Sequence, residues 1–270
     1  MPTVCRLIVN ADDFGFTRDV NEGILQCFRD GILRSTTLMA NGDAFDDAVS
    51  LAAKNRDLDV GCHLVLIGGQ AISEPATALP TTLPALIRHL PPREWIQSEF
   101  QAQIEKLIQS GIRPTHLDAH KHTHLIPRVL DAMLRVARDF EIPWIRRPFD
   151  LPRVATRSSL KTALISVAIR PLQIPFSESL RAHRCRATDY FAGFKMTGEF
   201  QTTQLLELLE GLPPGTGEFM CHPGVNGPEL MSAPTRLKAS REAELQALTS
   251  PRVQQRAAEL GIEFVSFAEI

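Results

Sequence analysis

Apolar positions along the chain switch period again and again, and the switches divide it into strand–helix units. Leu7–Asn10 is a short apolar run of the kind a buried strand makes. Asp19–Asp30 follows with Val20, Ile24 and Phe28 on one helical face, and Gly31 stops it. Ser35–Asn41 predicts a second strand, Ala44–Lys54 a helix and Asp59–Leu66 a third strand. Helical spacing returns at Phe100, Ile104, Leu107 and Ile108 and ends at Gly111. Thr115–His120 is again strand-like, and Leu130, Met133, Leu134, Ala137 and Phe140 mark the next helix. Trp144–Phe149 predicts a strand, and Leu160–Ile169 an apolar helix broken by Pro171 and Pro175. The end repeats the theme, with helix Thr203–Leu212, strand Glu218–His222, helices within 239–259 and a last strand at Ile262–Phe267. Residues 68–92, rich in Pro, Thr and Gly, predict a long loop.

Seven or eight such units without a break in composition predict a single α/β domain over residues 1–270. Its parallel sheet is expected to close into a barrel, with an open doubly wound sheet as the alternative. No G-x-G-x-x-G or P-loop follows the first strand, which argues against the nucleotide-binding versions. A content of 44% hydrophobic and 22% charged residues is ordinary for a soluble domain, and a net charge of -2 with dispersed basic residues excludes a polyanion such as nucleic acid as partner. Cys5, Cys27, Cys62, Cys185 and Cys221 are odd in number and form no C-x-x-C pair, so reduced thiols in a reducing compartment are expected. The first strand has no signal-like segment before it, and no run reaches the ~20 apolar residues of a membrane span. A cytoplasmic location follows as the expectation.

Candidate chemistry gathers where strands end. Asp12 and Asp13 close the first, His63 lies in the third, His222 ends the seventh, and His116, Asp118, His120, His122 and His124 crowd the fourth. In a β/α barrel those ends share one rim. Period-2 alternation puts His116, Asp118 and His120 on one face, and burying so many imidazoles without a cation is costly. Of two adjacent carboxylates, one can ligate a metal while the other takes a proton from water. Taken alone, Asp12-Asp13 also fits a solvated turn, His63 a core histidine and His222 a structural one. Arg146-Arg147-Pro148 is either surface charge or an arginine that orients the base carboxylate.

Asn10-Ala11-Asp12-Asp13-Phe14-Gly15, Gly61-Cys62-His63-Leu64 and Thr115 to His124, in that order, resemble the YdjC-like carbohydrate deacetylases, and the similarity runs from Arg6 to Ile270. The resemblance implies a distorted TIM-like barrel and one divalent ion, Mg²⁺ or Zn²⁺, held by Asp13, His63 and His120. It implies Asp12 as general base and His222 as the group that protonates the leaving amine. His124, Asp118 and Arg147 are expected to touch substrate or to support the ligands. Ala119-His120-Lys121-His122, Leu212-Pro213-Pro214-Gly215 and the run from Ser232 are most similar to the branch associated with hopanoid biosynthesis, which implies an N-acetylglucosaminyl unit of an oligosaccharide or glycosyl-hopanoid as substrate. Val225-Asn226-Gly227 departs from the more acidic continuation expected after His222. A metal-dependent phosphoesterase and a non-catalytic sugar- or lipid-binding protein are the alternatives. A homodimer is expected. Leu160–Ile174, with Lys161 and Arg170, is either a peripheral membrane contact or an ordinary barrel or dimer helix.

Overall fold

A computed structural model describes residues 5–151 and 160–270, with the backbone alone at 160–163. Eight strands are present among them: β1 (Cys5–Phe14), β2 (Ser35–Leu38), β3 (Asp59–Leu64), β4 (His116–Ala119), β5 (Trp144–Ile145), β6 (Tyr190–Ala192), β7 (Gly215–Cys221) and β8 (Ile262–Phe264). All pair in parallel in the order β5-β4-β3-β2-β1-β7-β6, and β8 also pairs with β1. β7 takes residues 5–11 of β1 along one edge, so β2 and β8 divide the other, β8 at Cys5–Leu7 and β2 at Asn10–Phe14.

The sheet is a curled half-barrel. Among the described residues the expected continuous closure is not seen: the β5 and β6 sides are linked by the isolated bridges Trp144–Arg186 and Asp150–Phe191. The run expected as strand Trp144–Phe149 is two residues long: Arg146 N–H still donates to Leu117 O of β4 at 3.0 Å, but Pro148 brings no N–H to a ladder. β6, which the sequence pattern did not reveal, has three residues. β2, β3, β4 and β8 stop short of their expected ends, and His222 lies just past β7.

Helices α1 (Arg18–Asp30), α2 (Phe45–Lys54), α3 (Leu83–Arg88), α4 (Arg93–Gln109), α5 (Pro127–Asp139), α6 (Leu160–Ala168), α7 (Gln173–Ala182), α8 (Thr202–Glu210), α9 (Pro228–Ser232), α10 (Ala239–Leu248) and α11 (Pro251–Glu259) connect the strands. Every β1 residue from Leu7 to Phe14 is buried, as in a strand covered on both faces. Leu7, Val9 and Ala11 join the main apolar cluster, each large side chain contributing ~1.5–3 kcal/mol, while Ile8, Asn10 and Asp12 alternate with them toward the inside of the curl.

Residues 68–92 are less irregular than their composition suggests, since they contain α3 and a Gln70–Ala78 bridge. Fully buried Glu99 on α4 accepts hydrogen bonds from the Ile72 and Ser73 amides and the Ser73 hydroxyl, and Gln103 holds both backbone groups of Val65. Buried Asn21 pins the turn after β1 by accepting from Gly15 N–H at 2.7 Å and donating to Ala44. Among the described residues no helix is long and apolar enough to cross a membrane.

Candidate active site

Adjacent residues of a regular strand face opposite ways. At the end of β1 that rule is broken. Three residue steps from Ala11 to Phe14 face two from Thr36 to Leu38, a bulge, and Asp13 adopts a left-handed φ of 68°. Asp is among the few side chains that tolerate this conformation, and a bulge re-aims a strand's side chains. Both carboxylates thereby face one buried cluster.

Asp12 has a hydrogen-bond donor on each of its oxygens. Arg146 Nη1 and Nη2 donate to its two oxygens at 2.6 and 2.7 Å, and Asn10 Nδ2 donates to Oδ1 at 3.2 Å. The same guanidinium, 1% exposed, lies 2.6 Å from Asp118 Oδ2 and donates Nε–H to Glu218 Oε1 at 2.6 Å. Burial works against an ionised Asp12, but the charge and hydrogen bonds of Arg146, with His63 and His222 nearby, hold its carboxyl well below the usual range. Glu218, the third acid around one cation, is pushed up to about 7 by burial despite Arg146.

Asp13 is only half answered. Arg241 Nη2 donates to Oδ2 at 2.5 Å, while buried Oδ1 has no hydrogen-bond partner. That oxygen lies 3.3 Å from His120 Nδ1 and 3.5 Å from His63 Nε2, and the two imidazole nitrogens are 3.2 Å apart. At ~2.1 Å from a cation, neighbouring donors are ~3.0–3.4 Å from one another. The three atoms therefore fit a divalent ion. The second triplet of this kind, Asp12, His63 and Asp118, fits worse because Arg146 already occupies oxygens of both acids.

His63 and Asp118 are register partners on β3 and β4, and His63 Nδ1 meets Asp118 Oδ1 at 2.7 Å, which aims Nε2 at Asp13 and His120. Burial alone would lower the His63 pKa, yet Asp118, with Asp12 and Asp13, pushes it up to about 9. The surroundings thus call for positive charge at this spot. Gly61 is required two residues earlier, since a Cβ there would stand 2.6 Å from the His116 ring.

The other expected residues take distinct places. His120 lies just past the end of β4 and, like Asp118, meets the His63 ring, after which Lys121 and His122 turn the chain left-handed at φ 53° and 51°. Its side chain is 22% exposed, the most open of the trio. His116 points deeper, between Thr115 and Asn10 Oδ1 (2.9 Å), stacked on Phe267. His124 is fully buried and donates Nε2–H to the Arg146 carbonyl at 3.2 Å, so it supports the arginine from behind, while its Nδ1 has no hydrogen-bond partner. His222 Nε2 is 3.9 Å from Asp12 Oδ2, and burial pulls its pKa down to about 4 although Asp12 and Asp13 oppose this. Arg147 points away and donates to the Asp189 carbonyl at 2.5 Å; the arginine on Asp12 is its neighbour.

Sequence reasoning missed Arg241, Glu218 and Glu244. Glu218 shares the period-2 face of His222, and Arg241 and Glu244 interrupt the buried stripe Leu245, Leu248 of α10, so ionisable residues on core faces were the available signal. Fold and site together define a parallel α/β protein whose strand ends gather a buried acid–imidazole cluster fit for a divalent cation. The profile of the YdjC-like protein family matches residues 6–259, and the chain belongs to that family. A carbohydrate deacetylase of Clostridium beijerinckii is 31% identical over 98% of this chain and 100% of its own length. Another, of Geobacillus stearothermophilus, is 31% identical over 100% of this chain and 98% of its own. A crystal structure from Enterococcus faecalis V583, of a candidate cellobiose-phosphate cleavage protein, shares the fold with a TM-score of 0.79 at 24% identity, covering 98% of each chain.

Proposed function

We propose that this protein is a carbohydrate deacetylase that hydrolyses the acetamide of an N-acetylated sugar, with one divalent ion held by Asp13, His63 and His120. The observation that carries the reading is the unpartnered, buried Oδ1 of Asp13 facing two imidazole nitrogens beside an ionised Asp12. The relatives named carbohydrate deacetylases support the same reaction. When bound, the ion would polarise the acetamide carbonyl and acidify a water. Two imidazoles and a carboxylate suit Zn²⁺ by softness, and Mg²⁺ is the alternative.

Asp12, held ionised by Arg146, accepts the proton of the attacking water. His222 is neutral at rest because burial disfavours its charge, so it acts as a donor only after a proton has entered the site. Its Nε2, 3.9 Å from Asp12, is placed to receive that proton and deliver it to the sugar nitrogen. Protonation of the amine thus draws on the attacking water.

For substrate we favour an N-acetylglucosaminyl unit of an oligosaccharide or glycosyl-hopanoid. The lipid-linked form gains support from the α6–α7 face. Phe176 of α7 meets His124 and Phe149, which sets α7 beside the segments that leave the ends of β4 and β5. Leu164, Val167 and Ile174 there are 61%, 56% and 71% exposed, and no acidic residue occurs from Leu151 to Ser177. Such a face suits an apolar tail or an anionic membrane surface. Of the run expected to make this contact, the side chains of Leu160 and Lys161 lie outside the described residues. Acetate release from short chitooligosaccharides, compared with an N-acetylglucosaminyl lipid at defined added metal, tests the reading. Metal-dependent release from at least one is expected. Release from neither, with the ion bound, would overturn it.

A further inference from the structure

Helix α10 carries two buried ionisable side chains one turn apart, Arg241 and Glu244, each 1% exposed. A core-facing stripe normally holds apolar residues at such positions. These two do not simply neutralise each other. Arg241 reaches Asp13 Oδ2 at 2.5 Å, and its Nε donates to Leu237 O. Glu244 Oε2 accepts the backbone N–H of His222 at 2.6 Å, and its Oε1 that of Gly198 at 3.0 Å.

The chain after His222 is docked on the same helix, with Gly224 N–H donating to the Arg241 carbonyl at 3.2 Å. Gly224 also lies so close to α1 that a Cβ on Gly23 would fall 2.4 Å from its Cα. Val225 N–H continues the contact to Asp19 O at 3.0 Å. The segment leaving β7 is therefore gripped between α1 and α10.

We propose that α10 is a positioning element that sets the metal ligand and the proton-handling histidine relative to each other. Arg241 occupies one oxygen of Asp13, so that Oδ1 alone faces His63 and His120 and the carboxylate ligates through a single oxygen. The left-handed backbone at Asp13 does not by itself choose the carboxylate's rotation; the guanidinium does. One turn on, Glu244 fixes the His222 backbone, and with it the height of the imidazole above Asp12. A helix turn is rigid, so one docking event sets both distances. The inference rests on Asp13 as ligand and His222 as proton donor.

Zn²⁺ titration by calorimetry, the absorption spectrum of the Co²⁺ form, and kcat and KM for acetate release test it. Arg241→Met is expected to weaken Zn²⁺ binding ~10–100-fold, the usual effect of losing a group that orients a ligand, and to alter the Co²⁺ spectrum. Arg241→Lys keeps the charge without the planar fork and should fall between parent and Arg241→Met. Glu244→Gln leaves one of the two amides facing an NH₂ group. It should lower kcat at unchanged KM and leave Zn²⁺ affinity within about twofold, a split that general destabilisation would not produce. Parental Zn²⁺ affinity and Co²⁺ spectrum in both Arg241 variants would overturn the proposal, as would parental kcat in Glu244→Gln. Asp13→Ala separates this failure from that of the underlying reading: Zn²⁺ binding that survives Asp13→Ala removes Asp13 as ligand. Binding lost in Asp13→Ala but intact in Arg241→Met removes only the role of α10.

Discussion

Asp12 and Asp13 are chain neighbours, equally buried and each paired with a buried arginine, yet they end with different coverage of their oxygens. Arg146 covers both oxygens of Asp12, whereas Arg241 covers one oxygen of Asp13 and leaves the other facing two imidazoles. A carboxylate with both oxygens occupied keeps its charge and its place. One with a bare oxygen in a dry site requires a further cation. In the proposed reading, the division of labour between base and ligand lies in how each guanidinium approaches, one as a bidentate fork and one end-on. Asp150 shows what burial does without a guanidinium. It accepts the amides of Phe194 and Lys195 at 3.1 and 2.8 Å, and burial pushes its carboxyl up to about 6, against these hydrogen bonds and the Lys195 charge.

The largest effect expected from this contrast is on turnover. Asp12→Asn should lower kcat ~10²–10⁴-fold, the usual contribution of a positioned acid or base, while Zn²⁺ titration stays parental. Retained turnover would take Asp12 out of the base role. Next comes stability. Arg146→Met leaves Asp12, Asp118 and Glu218 without their cation, and urea denaturation should register a loss of ~3–5 kcal/mol. A loss below ~1 kcal/mol would mean that the cluster is not held by this residue.

Asp150 supplies a pH test. Its folded pKa of about 6 lies above the ordinary 3.8, so its contribution is fully present below ~3.8 and is lost as pH rises through about 6, a swing of at most ~3 kcal/mol. Asp150→Asn, a permanent neutral, should therefore gain stability relative to the parent as pH goes from 4.5 to 7.5. A constant difference across that range would contradict the assignment. The smallest effect is expected from Arg147→Ala. Losing one bond to the Asp189 carbonyl should cost about 1 kcal/mol by urea denaturation and leave kcat within about twofold, which separates this arginine from its neighbour. A drop comparable to that of Asp12→Asn would place Arg147 in the site after all.

Much of the strand–helix order was readable because strands covered on both faces read as short buried runs and helices repeat every 3.6 residues, and β1, α1, β3 and α5 follow those rules. β6 escaped because three residues carry no period, and β5 was overextended because Trp144–Phe149 looks strand-like although Pro148 has no N–H to continue the ladder. The acids and histidines of the strand ends were visible as residue types out of place in buried runs. Arg241 and Glu244 were hidden among ordinary surface-like charges of a helix whose inward face was not known.

By itself the sequence determined the alternation of elements, the parallel α/β class, and the presence of Asp12, Asp13, His63, His120 and His222 near strand ends, since hydrophobic period and residue chemistry are local properties. Only the tertiary structure decided that the sheet stays a curled half-barrel and that Arg146, not Arg147, meets Asp12. It alone showed that His124 supports from behind and that α10 reaches Asp13. Those outcomes depend on which side chains a bulge, a left-handed turn and a packed helix bring together across more than a hundred residues, and no local pattern encodes that distance.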